Sequence, residues 1–98
     1  MDGLNCGNVS PIAWPTLVAG IDAALAVDDA TGAAAVAALH SSGVSTAMTG
    51  AASIAGLDRL TSDESLDLLR RHLDVSANTR VLVLVTEGLP QGCDKVVR

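Results

Sequence analysis

The side chains able to do chemistry are few in this chain and widely separated. The histidines are His40 and His72, the cysteines are Cys6 and Cys93, and the only lysine is Lys95. His40 precedes Ser41-Ser42-Gly43 and fits a helix C-terminus, where partial positive charge is favoured. His72, beside Arg70 and Arg71, fits a solvated helix face. Neither stands in a Ser or Cys arrangement that would make a nucleophile and its base. Cys6 and Cys93 lack partner spacing, so they give neither a disulfide framework nor a zinc signature and read as ordinary thiols. Asp28-Asp29 imitates a metal site, but adjacent acids before a helix are usually caps, and no metal is expected. Lys95 lies in a polar C-terminal tail without a preceding apolar pocket to activate it. What remains is a set of small polar positions. Thr86 ends a Val/Leu run, Met48-Thr49-Gly50 opens a small-residue helix, and Asn5-Cys6 lies in a loop of turn formers.

The elements that must position these residues follow from pattern and punctuation. Residues 1–10 are rich in glycine and asparagine and read as loop. Ser10 before Pro11 resembles a cap and first helical turn, although Pro15 allows a later start for a helix running towards Ala19. Residues 23–27 are short and apolar, a weak candidate for a buried strand. Asp28 caps a predicted helix over 29–40 that Gly43 ends, and Val44-Ser45 begins a short extended stretch. A second helix is predicted over 49–60, with Thr49 placed to cap it. There Gly50, Ala51, Ala52, Ala55 and Gly56 leave room for another backbone or a ligand. Thr61 and Glu64 form a capping-box pair for a helix to about residue 73, with Leu66, Leu69 and Leu73 as its apolar stripe. Residues 80–85, RVLVLV, give the clearest strand, and their unbroken Val/Leu run suggests both faces are covered, as in a parallel sheet. Strands between helices make the expected class α/β. Open sheets of that class bind ligands beyond the carboxyl ends of their strands, which is where Thr86 falls.

Composition limits what such a chain does alone. With 98 residues it is one small unit, and area scaling gives burial of about 64% of the unfolded surface. Sixteen alanines and nine glycines have little side chain to bury, and Trp14 is the only aromatic residue. The chain therefore reads as one layer of a larger body. A net charge of −5 argues against nucleic acid or a polybasic membrane surface as partners. There is no signal-peptide pattern and no apolar run of about 18 residues, so the expected setting is cytoplasmic, with no membrane partner. The unpaired RVLVLV edge predicts self-association.

Three stretches, in order, carry a family resemblance. MDGLNCGNVSPIAW resembles the active-site loop and following helix of fold-type-II pyridoxal-phosphate enzymes, specifically the diaminopropionate ammonia-lyase group. GVSTAMTGAASIAGL is similar to their glycine-rich turn and small-residue helix beside the cofactor ring. RVLVLVTEG looks like the late core strand whose end carries a hydroxyl facing the pyridine nitrogen. AVDDAT resembles the strand-to-helix step between them, and the likeness runs from Met1 to about Gly88. The resemblance implies that residues 1–98 are a single segment, the C-terminal portion of the catalytic domain. The implied fold is a fragment of a three-layer sandwich with a mostly parallel sheet, as in tryptophan synthase β. The implied activity is α,β-elimination from a small amino acid of diaminopropionate type to a keto acid and ammonia.

By the same resemblance Thr86, Gly50 and Thr49 are cofactor-binding, and Asn5, Cys6 and Met48 line the substrate pocket. Met48-Thr49 stands where the group has a Glu-Ser pair, so the titratable group there is missing. No residue of this chain is assigned a catalytic role. The family's Schiff-base lysine and phosphate cup belong to earlier parts of a longer chain, and Met1 falls where the family has an internal loop residue. The segment is therefore expected to be inactive alone and not to bind pyridoxal phosphate stably. The alternative from the residues is a standalone small α/β interaction module without chemistry.

Overall fold

In the computed structural model, residues 1–88 are described, the side chain of Asp2 excepted. The elements are a 3-10 turn at Asp2–Leu4, α1 (Trp14–Gly20), α2 (Asp29–Ser41), α3 (Met48–Ser62), a 3-10 turn at Glu64–Leu66 and α4 (Asp67–His72). The packing centre is the α2–α3 pair. Ala35 on α2 and Ala51 and Ala55 on α3 are buried, with Val27, Val36, Leu39 and Ile54 half-buried against them. Alanines at the crossing let the helices approach closely, at the cost of a thin apolar core.

Two helix ends follow directly from sequence. The Asp28 carboxylate accepts from the Thr31 backbone N–H and hydroxyl, both at 2.7 Å, and so caps α2. At the other end Gly43, at φ +83°, donates to the His40 carbonyl while Val44 donates to that of Leu39. This is a Schellman closure, and it needs the left-handed residue that glycine supplies most cheaply. The end of α4 repeats the pattern with Asp74 at φ 51°, as Asp74 and Val75 donate to the Arg71 and Arg70 carbonyls.

The predicted α/β class is overturned: the described residues are helical and contain no strand and no sheet. Residues 23–27 form no ladder; the Ala26 carbonyl accepts from the Arg59 guanidinium at 2.6 Å instead. Residues 44–45 stay irregular too. Residues 80–88 are neither helix nor strand, and no backbone–backbone hydrogen bond joins them to other described residues. Their faces are not both covered, since Leu82 is 86% and Leu84 67% exposed. A strand exists only where a neighbour supplies the matching row of donors and acceptors, and no aligned segment is present here. Two of their carbonyls are taken by hydroxyls from α3 and its lead-in.

Smaller corrections concern caps. Thr49 does not cap α3; Ala47 holds the cap position and supplies no side-chain bond. Thr61 turns back into the last turn of α3, donating to the Leu57 and Asp58 carbonyls, so it forms no capping box with Glu64. Asp63 takes that role, accepting from the Ser65 backbone at 2.9 Å and hydroxyl at 2.6 Å. The expected single helix is consequently split into the Glu64–Leu66 turn and α4. Arg70 ties α4 to α3 by donating to the Leu60 and Asp63 carbonyls.

These caps set an acid response. Hydrogen bonds from Thr31 hold Asp28 below its ordinary value of 3.8, and those from Ser65, hydroxyl first, do the same for Asp63. As pH falls, the unfolded chain takes up these protons before the folded one does. Their contribution is complete above the ordinary carboxylate value and disappears as pH falls through the lowered one. Helical signal in far-UV circular dichroism should therefore decline with acid across that window. The double variant Asp28→Asn, Asp63→Asn, which keeps cap acceptors but cannot titrate, should have a flatter response there.

Candidate functional site

The site is built on the first half of α3. Thr46, one residue before the cap, is 1% exposed, and its hydroxyl donates to the Glu87 carbonyl and, at 3.2 Å, to that of Ala47. Four residues on, buried Gly50 faces the same segment. A Cβ added there would meet the Thr46 hydroxyl first, and would stand 2.7 Å from the Glu87 carbonyl oxygen and 3.2 Å from its nitrogen. Ser53, farther along, donates to the Leu84 carbonyl at 3.0 Å. Gly50 and Ser53 share one face of α3 and Thr46 stands just before its cap, and together they seat residues 84–87. Glycine is required because backbone lies where a side chain would start.

The N-terminal loop meets the same helix end. A Cβ on Gly3 would lie 2.8 Å from the Thr49 hydroxyl, so the Asp2–Leu4 turn closes over half-buried Thr49. Met1 reaches α2, its sulfur 3.1 Å from a Cβ built on Gly32, and its amino group pairs with Asp29. Thus the loop, the small-residue helix and the end of the Val/Leu run all meet at the first turns of α3.

The predicted site residues divide accordingly. Thr49 and Gly50 are at the junction, and Met48 is half-buried at the first helical position. Thr86 is exposed, one residue before the Glu87 backbone that packs on Gly50. Asn5 and Cys6 are exposed in the loop. Asn5 lines an open hollow of about 390 Å³ with Met1, Leu4, Val27 and Asp29, on the α2 side of the loop. His40 is exposed in the last turn of α2, as the sequence suggests, and borders a mostly apolar hollow of about 260 Å³ with Ser41, Ser45 and Thr46. Cys93 and Lys95 lie outside the described residues.

Sequence reasoning missed Thr46 and Ser53, the hydroxyls that seat the segment. The signal was a pair of hydroxyl residues, Thr46 and Ser53, flanking Gly50, one of the two glycines expected to allow close approach; the other, Gly56, has nothing within 4 Å of an added Cβ.

The chemistry of this junction is hydroxyl and backbone chemistry. Among the described residues no cluster of His, Cys, Asp or Glu is able to hold a metal ion. Arg59 pairs with Asp63, and Arg70 and Arg71 pair with Asp67, all towards or beyond the far end of α3. The described residues do not by themselves form a pyridoxal-phosphate site. They include no lysine, and the space above Gly50 is filled by the Glu87 backbone rather than open to a ring. Among the described residues no helix is long and apolar enough to cross a membrane. A scan against family models, a search of curated proteins and a search of solved structures each give no match to this chain.

Proposed function

We propose that this chain is the C-terminal portion of a cytoplasmic pyridoxal-phosphate-dependent ammonia-lyase acting on a small amino acid of diaminopropionate type. In this reading it contributes one wall of the pocket, and another part of the enzyme contributes the lysine and the phosphate-binding loop. The cofactor supplies the electron withdrawal for α,β-elimination. Thr86 and Thr49 border the cofactor, Gly50 shapes that wall by seating the Glu87 backbone next to Thr86, and Asn5, Cys6 and Met48 border the substrate. One observation supports this: the three stretches that resemble the family, far apart in sequence, meet at the first turns of α3. A second reading, a binding module without chemistry, is favoured by the exposed Leu82 and Leu84.

Borohydride reduction in the presence of pyridoxal phosphate separates the two. The chain alone should give only sparse labelling. Joined to the upstream half of a diaminopropionate ammonia-lyase, it should give one stoichiometric adduct on a lysine of that half. A stoichiometric, saturable adduct on Lys95 of the chain alone would sink the wall reading.

A further inference from the structure

We infer that residues 81–85 are a self-pairing element, joining two copies of this chain in an antiparallel ribbon centred on Val83. This does not rest on the lyase reading. The run Val81-Leu82-Val83-Leu84-Val85 is the same read in either direction. Two copies related by a twofold axis through Val83 therefore set Val81 against Val85, Val83 against Val83, and Leu82 against Leu84. Valines meet on one face of the ribbon and leucines on the other, the cross-strand matching that stabilises antiparallel pairs. A twofold axis normal to a ribbon preserves its faces, so only residues of equal parity can be opposite, and this register satisfies that.

The charges at the ends choose the direction. Arg80 precedes the run and Glu87 follows it. Antiparallel pairing brings one Arg80 and one Glu87 to each end of the ribbon, whereas parallel pairing sets like against like. Arg80 falls opposite Thr86, so no like charges face each other.

The structure leaves one edge available. In a strand, successive residues present their backbone groups to opposite edges. The Leu84 carbonyl is held by Ser53, which commits the even-numbered edge to α3. Val81, Val83 and Val85 make up the other edge, and no hydrogen bond to described residues engages their backbone. In the proposed register these three supply every ladder bond. Glu87, which Thr46 holds, lies outside the paired run. With Ser53 already on the Leu84 carbonyl, a third copy meets an interrupted even-numbered edge, and the pairing closes at two copies.

The run has apolar surface to bury, with Leu82 86% and Leu84 67% exposed and Val81 and Val85 exposed as well. The net charge of −5 on each copy opposes association, but a screening length of about 8 Å at physiological salt confines that repulsion.

The test uses the full chain, with Cys6→Ser and Cys93→Ser as background. Sedimentation equilibrium should give a dimer. Val83→Cys should then form an intermolecular disulfide under mild oxidation, because self-opposed residues have Cα atoms about 5.5 Å apart, within disulfide range. Val81→Cys should not, since in this register the two copies of residue 81 are offset by about 13 Å. Arg80→Glu should weaken the dimer, and adding Glu87→Arg should restore it. A monomer at all concentrations, an open-ended assembly, a dimer in which neither cysteine cross-links, or one in which both do, would each overturn the proposal.

Discussion

Gly50→Ala is expected to release residues 84–88 from α3 while the helix itself gains stability. Two effects compete. Replacing a first-turn helical glycine by alanine favours the helix by up to about 1 kcal/mol. Against that, the new methyl would meet the Thr46 hydroxyl first and would also stand 2.7 Å from the Glu87 carbonyl oxygen, which is backbone and not the tip of a flexible side chain. Overpacking of this kind costs about 1–3 kcal/mol if the neighbours stay. They need not stay. The segment is held by hydrogen bonds from Thr46 and Ser53, each contributing about 0.5–1.5 kcal/mol, so undocking at a cost of about 1–3 kcal/mol relieves the Glu87 contact and frees the Thr46 hydroxyl to rotate away from the new methyl. The fraction of molecules with the segment docked should fall by roughly 5- to 150-fold. Limited proteolysis after Leu82 or Leu84 should accelerate accordingly, with helical circular dichroism unchanged or stronger. Gly56→Ala is the control, because a Cβ there meets nothing within 4 Å. It should stabilise α3 by about 1 kcal/mol without exposing the segment. Wild-type protease resistance in Gly50→Ala would show that this contact does not seat residues 84–87.

Thr86 carries the second large effect, and it appears only in the restored enzyme. If its hydroxyl bonds the pyridine nitrogen, Thr86→Val removes that bond with nearly unchanged shape. The loss is about 0.5–1.5 kcal/mol, rising to about 3 if a buried acceptor is left unpaired. Lyase rate or cofactor affinity should then drop by roughly 2- to 150-fold. Thr86→Ser, which keeps the hydroxyl, should remain near the parent. A residue that merely follows an apolar run would give the opposite order, with valine neutral and serine the worse. The side chain is exposed in the chain alone, so neither substitution should alter its helical content.

How far the sequence could be read depended on whether the partner of each group was local. Asp28 and its Thr31 donors are three residues apart, and Gly43 closes α2 from within five residues of its acceptors. Such ends are legible because residue type and spacing contain the whole interaction. The Thr61–Glu64 box failed for a local reason as well. Asp63 presents a carboxylate two residues closer to the Ser65 donors, and Thr61 is already spent on the carbonyls of its own last turn. RVLVLV failed for a different reason. An apolar run records a preference for the strand conformation but not whether a neighbouring row of donors exists, and in this chain none is present among the described residues. Gly50 was legible as a place of close approach, whereas what approaches it was not. The Glu87 backbone lies 37 positions away, and the bonds from Thr46 and Ser53 to the segment span 41 and 31. A hydroxyl at a helix start looks the same whether it caps locally or reaches across the fold.

The most direct measurement of the central claim is turnover by the chain joined to the upstream half of a diaminopropionate ammonia-lyase. Release of keto acid and ammonia from diaminopropionate should require both polypeptides and pyridoxal phosphate, and should fall in Thr86→Val but not in Thr86→Ser. A joined protein that is folded, monodisperse and loaded with cofactor, yet releases no ammonia from diaminopropionate or any other small amino acid, would contradict the claim that this chain forms a wall of that pocket.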